Sequence, residues 1–157
     1  MVSKRYRKVV NRYSKYKSKF KFTASRCAGH VWVYEAPSGK ITITEIQVPP
    51  LIDTWSVGTF LHEMGHIYYD HHNQSKILEI RRRAYHRRRV KPEEMTLIYQ
   101  QELEAWSYVF DMCRELKIPI TQSCLKNMDK SLESYEQCLE KGIQNEETVI
   151  IRTVIGG

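Results

Sequence analysis

The sequence predicts an α+β fold in a single domain that is mostly helical and contains a small sheet. Over several long segments, apolar residues recur at intervals of three and four, which is the period of an amphipathic helix. Two short runs rich in β-branched residues, HVWVYEA and KITITEIQV, flank the turn-forming letters PSG. The chain has 157 residues, of which 41% are hydrophobic, and this suits one domain (residues 1–157) with one core.

The first element is predicted to be a basic amphipathic helix over about residues 4–21. One face of this helix is apolar, whereas its other positions are rich in Lys and Arg. The next two runs predict a β-hairpin, and the pair Pro49 and Pro50 ends its second strand. The apolar face of the N-terminal helix comprises Tyr6, Val9, Tyr13, Tyr16 and Phe20.

The next helix is expected to be capped by Asp53 or Thr54 and to run through Phe60 to Ile67. Gly65 lies in the middle of this helix, where glycine costs about 1 kcal/mol relative to alanine. We expect that cost to be offset by the close approach of another element.

Three further helices and a strand complete the prediction. A basic insert, about residues 76–91, begins as a helix after Asn73 or Ser75, and a long helix follows from Pro92 to about Lys117. A last helix begins at Thr121 or Ser123 and is expected to end at Gly142. The letters TVIIRTVI predict a C-terminal strand.

The charge of the chain is concentrated in two basic segments. Residues 1–26 carry ten Lys/Arg and no acid, and residues 81–91, RRRAYHRRRVK, carry seven more without an acid. All 18 acidic residues lie elsewhere, so the segments can attract a polyanion or can meet the acidic body itself. A nucleic-acid partner bound through the run from Arg81 to Lys91 and through the N-terminal helix is therefore one hypothesis.

The N-terminus carries charge without an apolar run behind it, which predicts neither a signal peptide nor a membrane span. The four cysteines form no C-x-x-C pair, so a zinc ribbon or a thioredoxin-like site is not supported. We expect a cytoplasmic protein with reduced thiols and no membrane partner.

The segment TFLHEMGHIYYDHHN, residues 59–73, holds four of the six histidines. Within it, His62 and His66 bracket Glu63 with the spacing H-E-x-x-H. Positions four apart share a helix face, so both imidazoles can reach one metal ion, while Glu63 lies about 100° around the helix and can reach a water there. The motif predicts one Zn²⁺ ion held by His62 and His66, with Glu63 as the catalytic base.

A catalytic zinc needs a third protein ligand, and His72 is one candidate. It follows His66 by six residues, a spacing in which a glycine normally turns the chain back to the metal. Tyr69 occupies that glycine position and tolerates a positive φ poorly. His72 is therefore the alternative third ligand.

Glu102, in QQELEAWSYVF, is the stronger candidate. It lies on the apolar face of its helix, where a carboxylate is costly unless it meets a metal or a cation. A salt bridge from Glu102 to an arginine of residues 81–91 would explain it without a metal. Glu104 lies on the polar face and is expected to be solvated.

HEMGH followed by ELEAW resembles the gluzincins, zinc peptidases whose third ligand is the first Glu of an E-x-x-A-[DN] helix. Within these, the sequence most resembles the ImmA/IrrE-type metallopeptidases, over about residues 41–119. The resemblance implies a zincin-like fold, a small mixed or antiparallel sheet packed on the motif helix, with His62, His66 and Glu102 as zinc ligands. Trp106 stands where the family has Asn or Asp. A second resemblance, to SprT-like DNA-associated zinc proteases, implies a histidine as third ligand, either His72 or His86.

The gluzincin resemblance implies hydrolysis of peptide bonds in a protein substrate, with Glu63 as general base. It also implies that the strand KITITEIQV forms the edge of the cleft and binds the substrate as an added strand. Two alternatives stay open: a nucleic-acid-binding protein with a structural zinc, and a DNA-associated zinc protease that its basic segments localise. The candidates for stabilising an oxyanion are Tyr68, Tyr69, His71, His72 and Tyr99.

Overall fold

In a computed structural model of the chain, helices dominate and a small sheet precedes the motif helix. The structure describes residues 1–25, 28–85, 89–145 and 149–150. The predicted α+β class is confirmed. The helices are α1 (Arg7–Arg12), α2 (Thr54–Tyr68), α3 (Ser75–Tyr85), α4 (Pro92–Glu115) and α5 (Gln122–Asn145), and the strands are β1 (Phe20–Phe22), β2 (His30–Glu35), β3 (Ile41–Val48), β4 (Arg89–Val90) and β5 (Val149–Ile150).

The N-terminal segment is helical but is not one continuous helix. Short 3₁₀ segments at Lys4–Tyr6 and Ser14–Lys19 flank α1, and β1 follows directly. The prediction of a helix to about residue 21 is wrong because Phe20, Lys21 and Phe22 alternate apolar and basic side chains and pair in parallel with β3. Much of the predicted apolar face is confirmed, since the main core buries Tyr6, Val9 and Tyr13.

The predicted hairpin is confirmed, and its second strand lies in the middle of the sheet. β2 and β3 pair antiparallel, and the turn between them contains Gly39 with a positive φ of 81°. β1 pairs with the other side of β3, which gives the strand order β1-β3-β2. β1 covers that side of β3 only at residues 46–48, so residues 41–45 pair with β2 alone and the expectation that β3 forms the cleft edge stays a prediction. Among the described residues, β2 is the longer of the two edge strands.

α2 begins where the sequence predicts because its N-cap is complete. Asp53 Oδ1 accepts a hydrogen bond from Ser56 N at 2.8 Å, and Ser56 Oγ accepts one from Asp53 N at 3.2 Å. Phe60, Leu61 and Met64 on this helix are almost fully buried. α2 is thus an interior helix that contacts β3, α4 and α5.

The later helices follow the prediction except at one end. α4 begins at Pro92 as expected, and α5 begins at Gln122. The prediction that Gly142 ends α5 is wrong, because the helix continues to Asn145, and glycine inside a helix costs only about 1 kcal/mol. β4 and β5 pair antiparallel, while the rest of the predicted C-terminal strand lies outside the described residues. None of the described helices has the length and apolarity needed to cross a membrane.

α2 and α4 approach each other most closely at Gly65. A Cβ atom added there would lie 2.9 Å from both the Cα and the carbonyl oxygen of Ala105. These are backbone atoms of α4, which cannot rotate out of the way. The predicted close approach at Gly65 is confirmed, and it fixes the separation of the two helices that carry the candidate site.

We expect Gly65→Ala to destabilise the fold by about 1–3 kcal/mol, a cost typical of overpacking, although alanine is the better helix former. Gly58→Ala is the matched control on the same helix, since its nearest contact would be the Cys124 side chain at 3.2 Å. Urea denaturation compares the two free energies of unfolding. Equal stabilities for both variants would contradict the backbone contact.

Candidate metal centre

Three buried side chains from α2 and α4 converge on one point. His62, His66 and Glu102 have exposed fractions of 1%, 8% and 1%. The two histidine Nε2 atoms are 3.0 Å apart, while Glu102 Oε2 lies 2.9 Å from His62 Nε2 and Glu102 Oε1 lies 3.4 Å from His66 Nε2. This group could hold a metal ion. The structure thus brings together the three ligands that the sequence predicts.

The separations within the group are compatible with a divalent ion between its members. Ligand atoms placed tetrahedrally at about 2.0–2.1 Å from zinc lie about 3.3 Å from one another, close to the separations seen here. Glu102 Oε2 is buried without a hydrogen bond. Burial lowers the pKa of His66 to about 3, so this imidazole is neutral and keeps a lone pair. Acceptors that face one another in this way are stabilised by a cation between them.

Glu102 stays ionised although it is buried. Burial by itself would raise the pKa of the carboxyl group, but the pKa lies well below its usual range because His66 and His62 contact the carboxylate, and the ion pair with Arg81 keeps its charge compensated where the rings are neutral. Arg81 on α3 donates from Nη2 to Glu102 Oε1 at 2.9 Å, and Tyr135 on α5 hydrogen-bonds to Arg81. The alternative salt bridge from residues 81–91 is therefore present together with the ligand geometry. Glu102 Oε1 accepts the hydrogen bond from Arg81, and Glu102 Oε2 faces His62.

His66 is supported from behind by His71, which the sequence analysis did not place in this role. The Nδ1 atoms of the two rings are 3.1 Å apart, and His71 Nε2 lies 2.8 Å from Glu104 Oε2. When His66 Nε2 keeps its lone pair, its Nδ1–H donates to His71, whose Nε2–H donates to Glu104. The expectation that Glu104 is solvated is confirmed by its exposure. Its side chain is 55% exposed, but one oxygen orients this chain of rings.

His72, the alternative third ligand, does not join the group. Among the described residues, the atoms that converge belong to His62, His66 and Glu102. The chain does turn back after α2, but the positive φ of 59° falls on Asp70, a residue type that tolerates it better than Tyr69. The turn delivers His71 to the site, whereas His72 Nε2 is buried without a hydrogen bond. His86, the other histidine implied by the SprT-like resemblance, lies outside the described residues.

Glu63 lies on the same helix turn, beside the group. It is 4% exposed, and its Oε1 has no hydrogen bond. Burial raises the pKa of Glu63 well above its usual range, and the Glu102 carboxylate raises it further. A Cβ atom on Gly29 would lie 2.5 Å from Glu63 Cγ, so the backbone just before β2 covers this carboxylate and requires glycine there. A single glycine before a strand carries no spacing signal, which is why the sequence did not reveal it.

Trp106 packs against His62 from α4. The ring centroids are 4.7 Å apart at an interplanar angle of 35°, and the indole Nε1 donates to Ser131 Oγ at 3.4 Å. An Asn or Asp, as in the resembling family, would offer a hydrogen bond at this position. Here the indole restrains the imidazole by contact alone, and His62 Nδ1 is buried without a hydrogen bond.

The described arginines at the start of the basic insert pair with carboxylates of the same chain. Their separations range from 2.6 to 3.4 Å. These contacts match the alternative in which the insert meets the acidic body. Arg87 and Arg88 lie outside the described residues. The pairs are Arg81 with Glu102, Arg82 with Glu35, and Arg83 with Glu94.

No protein-family model, no curated protein and no solved structure matches this chain.

The hydrogen bond behind His66 leads to a prediction that separates the two neighbouring histidines. We expect His71→Gln to lower the zinc affinity about 10-fold to 100-fold, as is usual when the partner of a metal-bound histidine is removed. His72→Gln is the matched control and should leave the affinity nearly unchanged. Competition with a chromogenic chelator measures both values. A larger loss in the His72 variant would restore His72 as a ligand.

Proposed function

We propose that the chain is a zinc-dependent peptidase of the zincin-like fold, with His62, His66 and Glu102 as the metal ligands. The observation that carries the proposal is the convergence of these three buried side chains next to a fourth buried group, Glu63, whose Oε1 has no hydrogen bond. An acceptor that is kept desolvated and unpaired beside a metal group is suited to take a proton from water.

In this proposal Glu63 acts as the general base and then as the general acid. It takes a proton from water as the water attacks the peptide carbonyl, and it delivers that proton to the leaving amine. A bound zinc ion would polarise the carbonyl and lower the pKa of water in the site towards about 7. Gly29 and the helix backbone hold the Glu63 carboxylate in place for both transfers.

Arg81 is the best placed group to stabilise an oxyanion in this reaction. Of the candidates named from the sequence, His71 lies behind His66 and Tyr99 donates to Glu136 at 2.6 Å. Arg81 lies 2.9 Å from Glu102 Oε1, and its side chain is 31% exposed. A guanidinium has five N–H donors, so donors remain for a substrate oxygen beyond those used by Glu102.

The substrate strand is proposed to add to β2 and not to β3. β3 is paired on both sides at residues 46–48, whereas β2 lies at the sheet edge and pairs with β3 alone. Gly29, the residue just before β2, is the one in contact with Glu63, so a peptide aligned along β2 would run towards the base. The partner is accordingly an extended segment of a protein or peptide.

A peptidase fits the site better than the alternative in which a structural zinc serves a nucleic-acid-binding protein. Structural zinc sites usually close with four protein ligands and favour cysteine. The group here has three ligands among the described residues, and none is a cysteine. We also propose a cytoplasmic location, for which the buried free thiols Cys113 and Cys124 are the support.

Metal analysis combined with a hydrolysis assay tests the proposal. We expect one zinc ion per chain and zinc-dependent cleavage of a mixture of fluorescence-quenched peptides, which a chelator such as dipicolinate abolishes and added zinc restores. Stoichiometric zinc without any cleavage would favour the structural alternative. A purified chain that takes up no zinc would contradict both.

A further inference from the structure

The N-terminal segment presents positive charge that the described carboxylates do not neutralise. Of its ten basic residues, Arg12 pairs with Glu115 at 2.9 Å and Lys21 with Glu45 at 3.5 Å. In this respect the segment differs from the start of the basic insert, whose arginines are paired. Six exposed cations have no carboxylate partner within the described part of the chain, namely Lys4, Arg5, Arg7, Lys8, Lys15 and Lys17.

A cavity of about 590 Å³ lies between this segment, α2 and α4. Its volume falls within the range of small-ligand sites. Tyr68 stacks on Tyr108 with ring centroids 4.9 Å apart, and its side chain is 67% exposed. The cavity also has cations in its wall, from Arg12 and Lys15. The aromatic residues that line it are Tyr13, Tyr16, Tyr68, Tyr69 and Tyr108.

Two carboxylates also line the cavity, and each has a cationic partner. Glu115 pairs with Arg12, and Asp111 pairs with Arg114 at 3.4 Å. Their charges are therefore balanced locally, and Lys15 contributes a positive charge that no described carboxylate pairs with, 4.9 Å from the Tyr16 ring centroid. An exposed aromatic ring that lines the same cavity as such a cation is the arrangement that binds single-stranded nucleic acids, in which phosphates meet cations and a base stacks on the ring.

A membrane surface fits this segment less well. A basic amphipathic helix binds bilayers by inserting its apolar face. Here that face is already used by the core, since Tyr6 and Val9 are 3% and 0% exposed. Duplex nucleic acid fits less well too, because its bases are stacked on one another and cannot enter a tyrosine-lined cavity.

We propose that the cations of residues 4–17 and the tyrosine-lined cavity form a binding site for single-stranded nucleic acid, with one base stacked on Tyr68. The site lies on the N-terminal segment and the ends of α2 and α4, so binding requires neither zinc nor hydrolysis. RNA and DNA share the phosphates and base faces that this site recognises.

Fluorescence anisotropy with labelled oligonucleotides about 12 nucleotides long tests the proposal, using single-stranded DNA, single-stranded RNA and a duplex. We expect the single strands to bind more tightly than the duplex, with an affinity that falls steeply between about 50 and 200 mM salt. Tyr68→Ala should weaken binding about tenfold, whereas Tyr34→Ala, which removes another exposed tyrosine outside the cavity, should not.

Charge variants give the second arm of the test. Lys15→Gln should reduce the slope of log affinity against log salt by about 0.7, and Lys126→Gln on α5 should leave it unchanged. The proposal is overturned by absence of binding at low salt, by preference for the duplex, or by equal losses in the Tyr68 and Tyr34 variants. Binding only to vesicles of equal parts phosphatidylglycerol and phosphatidylcholine would assign the cations to membranes instead and would also overturn it.

Discussion

Replacing Glu102 with glutamine is expected to lower the zinc affinity of the protein by more than about 100-fold, beyond the losses typical of residues that only support a ligand. The substitution keeps the size and shape of the side chain on α4. It removes the negative charge that the carboxylate places beside the two imidazoles and that helps the group to hold a divalent ion. It also exchanges one carboxylate oxygen for an amide nitrogen, which has no lone pair to offer a metal.

The same variant distinguishes two hypotheses. In one, Glu102 is a metal ligand; in the other, it serves only as the ion-pair partner of Arg81. Loss of that ion pair should lower the free energy of unfolding of the zinc-free protein by about 1–3 kcal/mol in either case. Only a ligand role predicts loss of zinc as well. Glu93→Gln is the matched control, because Glu93 is exposed on the same helix. Elemental analysis and urea denaturation of both variants provide the two measurements, and unchanged zinc content in the Glu102 variant would contradict the ligand assignment.

Glu102 could be predicted because its signal is local. A carboxylate on the apolar stripe of a helix is conspicuous in the sequence, since every neighbour at the helical period is apolar. The H-E-x-x-H spacing has the same quality, because the geometry of one helix fixes which side chains share a face. For both features the sequence supplied the residues, and the structure added the short distances between the two helices.

Other parts of the site depend on contacts between distant segments and could not be predicted. Gly29 matters only because its backbone lies against Glu63, and no periodicity links the two. The apolar residues of the N-terminal segment, spaced three and four apart, predict helix at the position of β1. Pairing with β3 overrides that local preference for helix. His71 reaches His66 because Asp70 adopts a left-handed backbone conformation. The motif spacing instead predicts that turn one residue earlier, at Tyr69. In each case tertiary structure selects among local options that the sequence leaves open.

Replacing Glu63 with glutamine is expected to lower the rate of peptide hydrolysis about 10²-fold to 10⁴-fold while zinc content stays unchanged. The amide has nearly the same shape but cannot accept the proton of the attacking water. Glu63 is not one of the three converging ligands, so the metal group is left intact. Zinc analysis and a peptide-cleavage assay on the same preparation measure the two effects. Turnover equal to that of the unmodified chain would remove Glu63 from the mechanism.

The same substitution should make the zinc-free protein more stable at neutral pH. Burial raises the folded-state pKa of Glu63 well above its usual range, so the folded state holds its proton more tightly than the unfolded state does. Stability therefore falls as the pH rises from the ordinary carboxyl pKa to the raised one, and the loss persists at higher pH.

Glutamine has no charge to desolvate and escapes this loss, whereas the exposed control Glu93→Gln does not gain stability. Urea denaturation in the presence of chelator, at acidic and at neutral pH, measures the free energy of unfolding. The Glu63 variant should have a higher value than the unmodified chain at neutral pH, and the difference should shrink at acidic pH. A Glu63 variant without that gain in stability would mean that the fold accommodates the carboxylate at no cost.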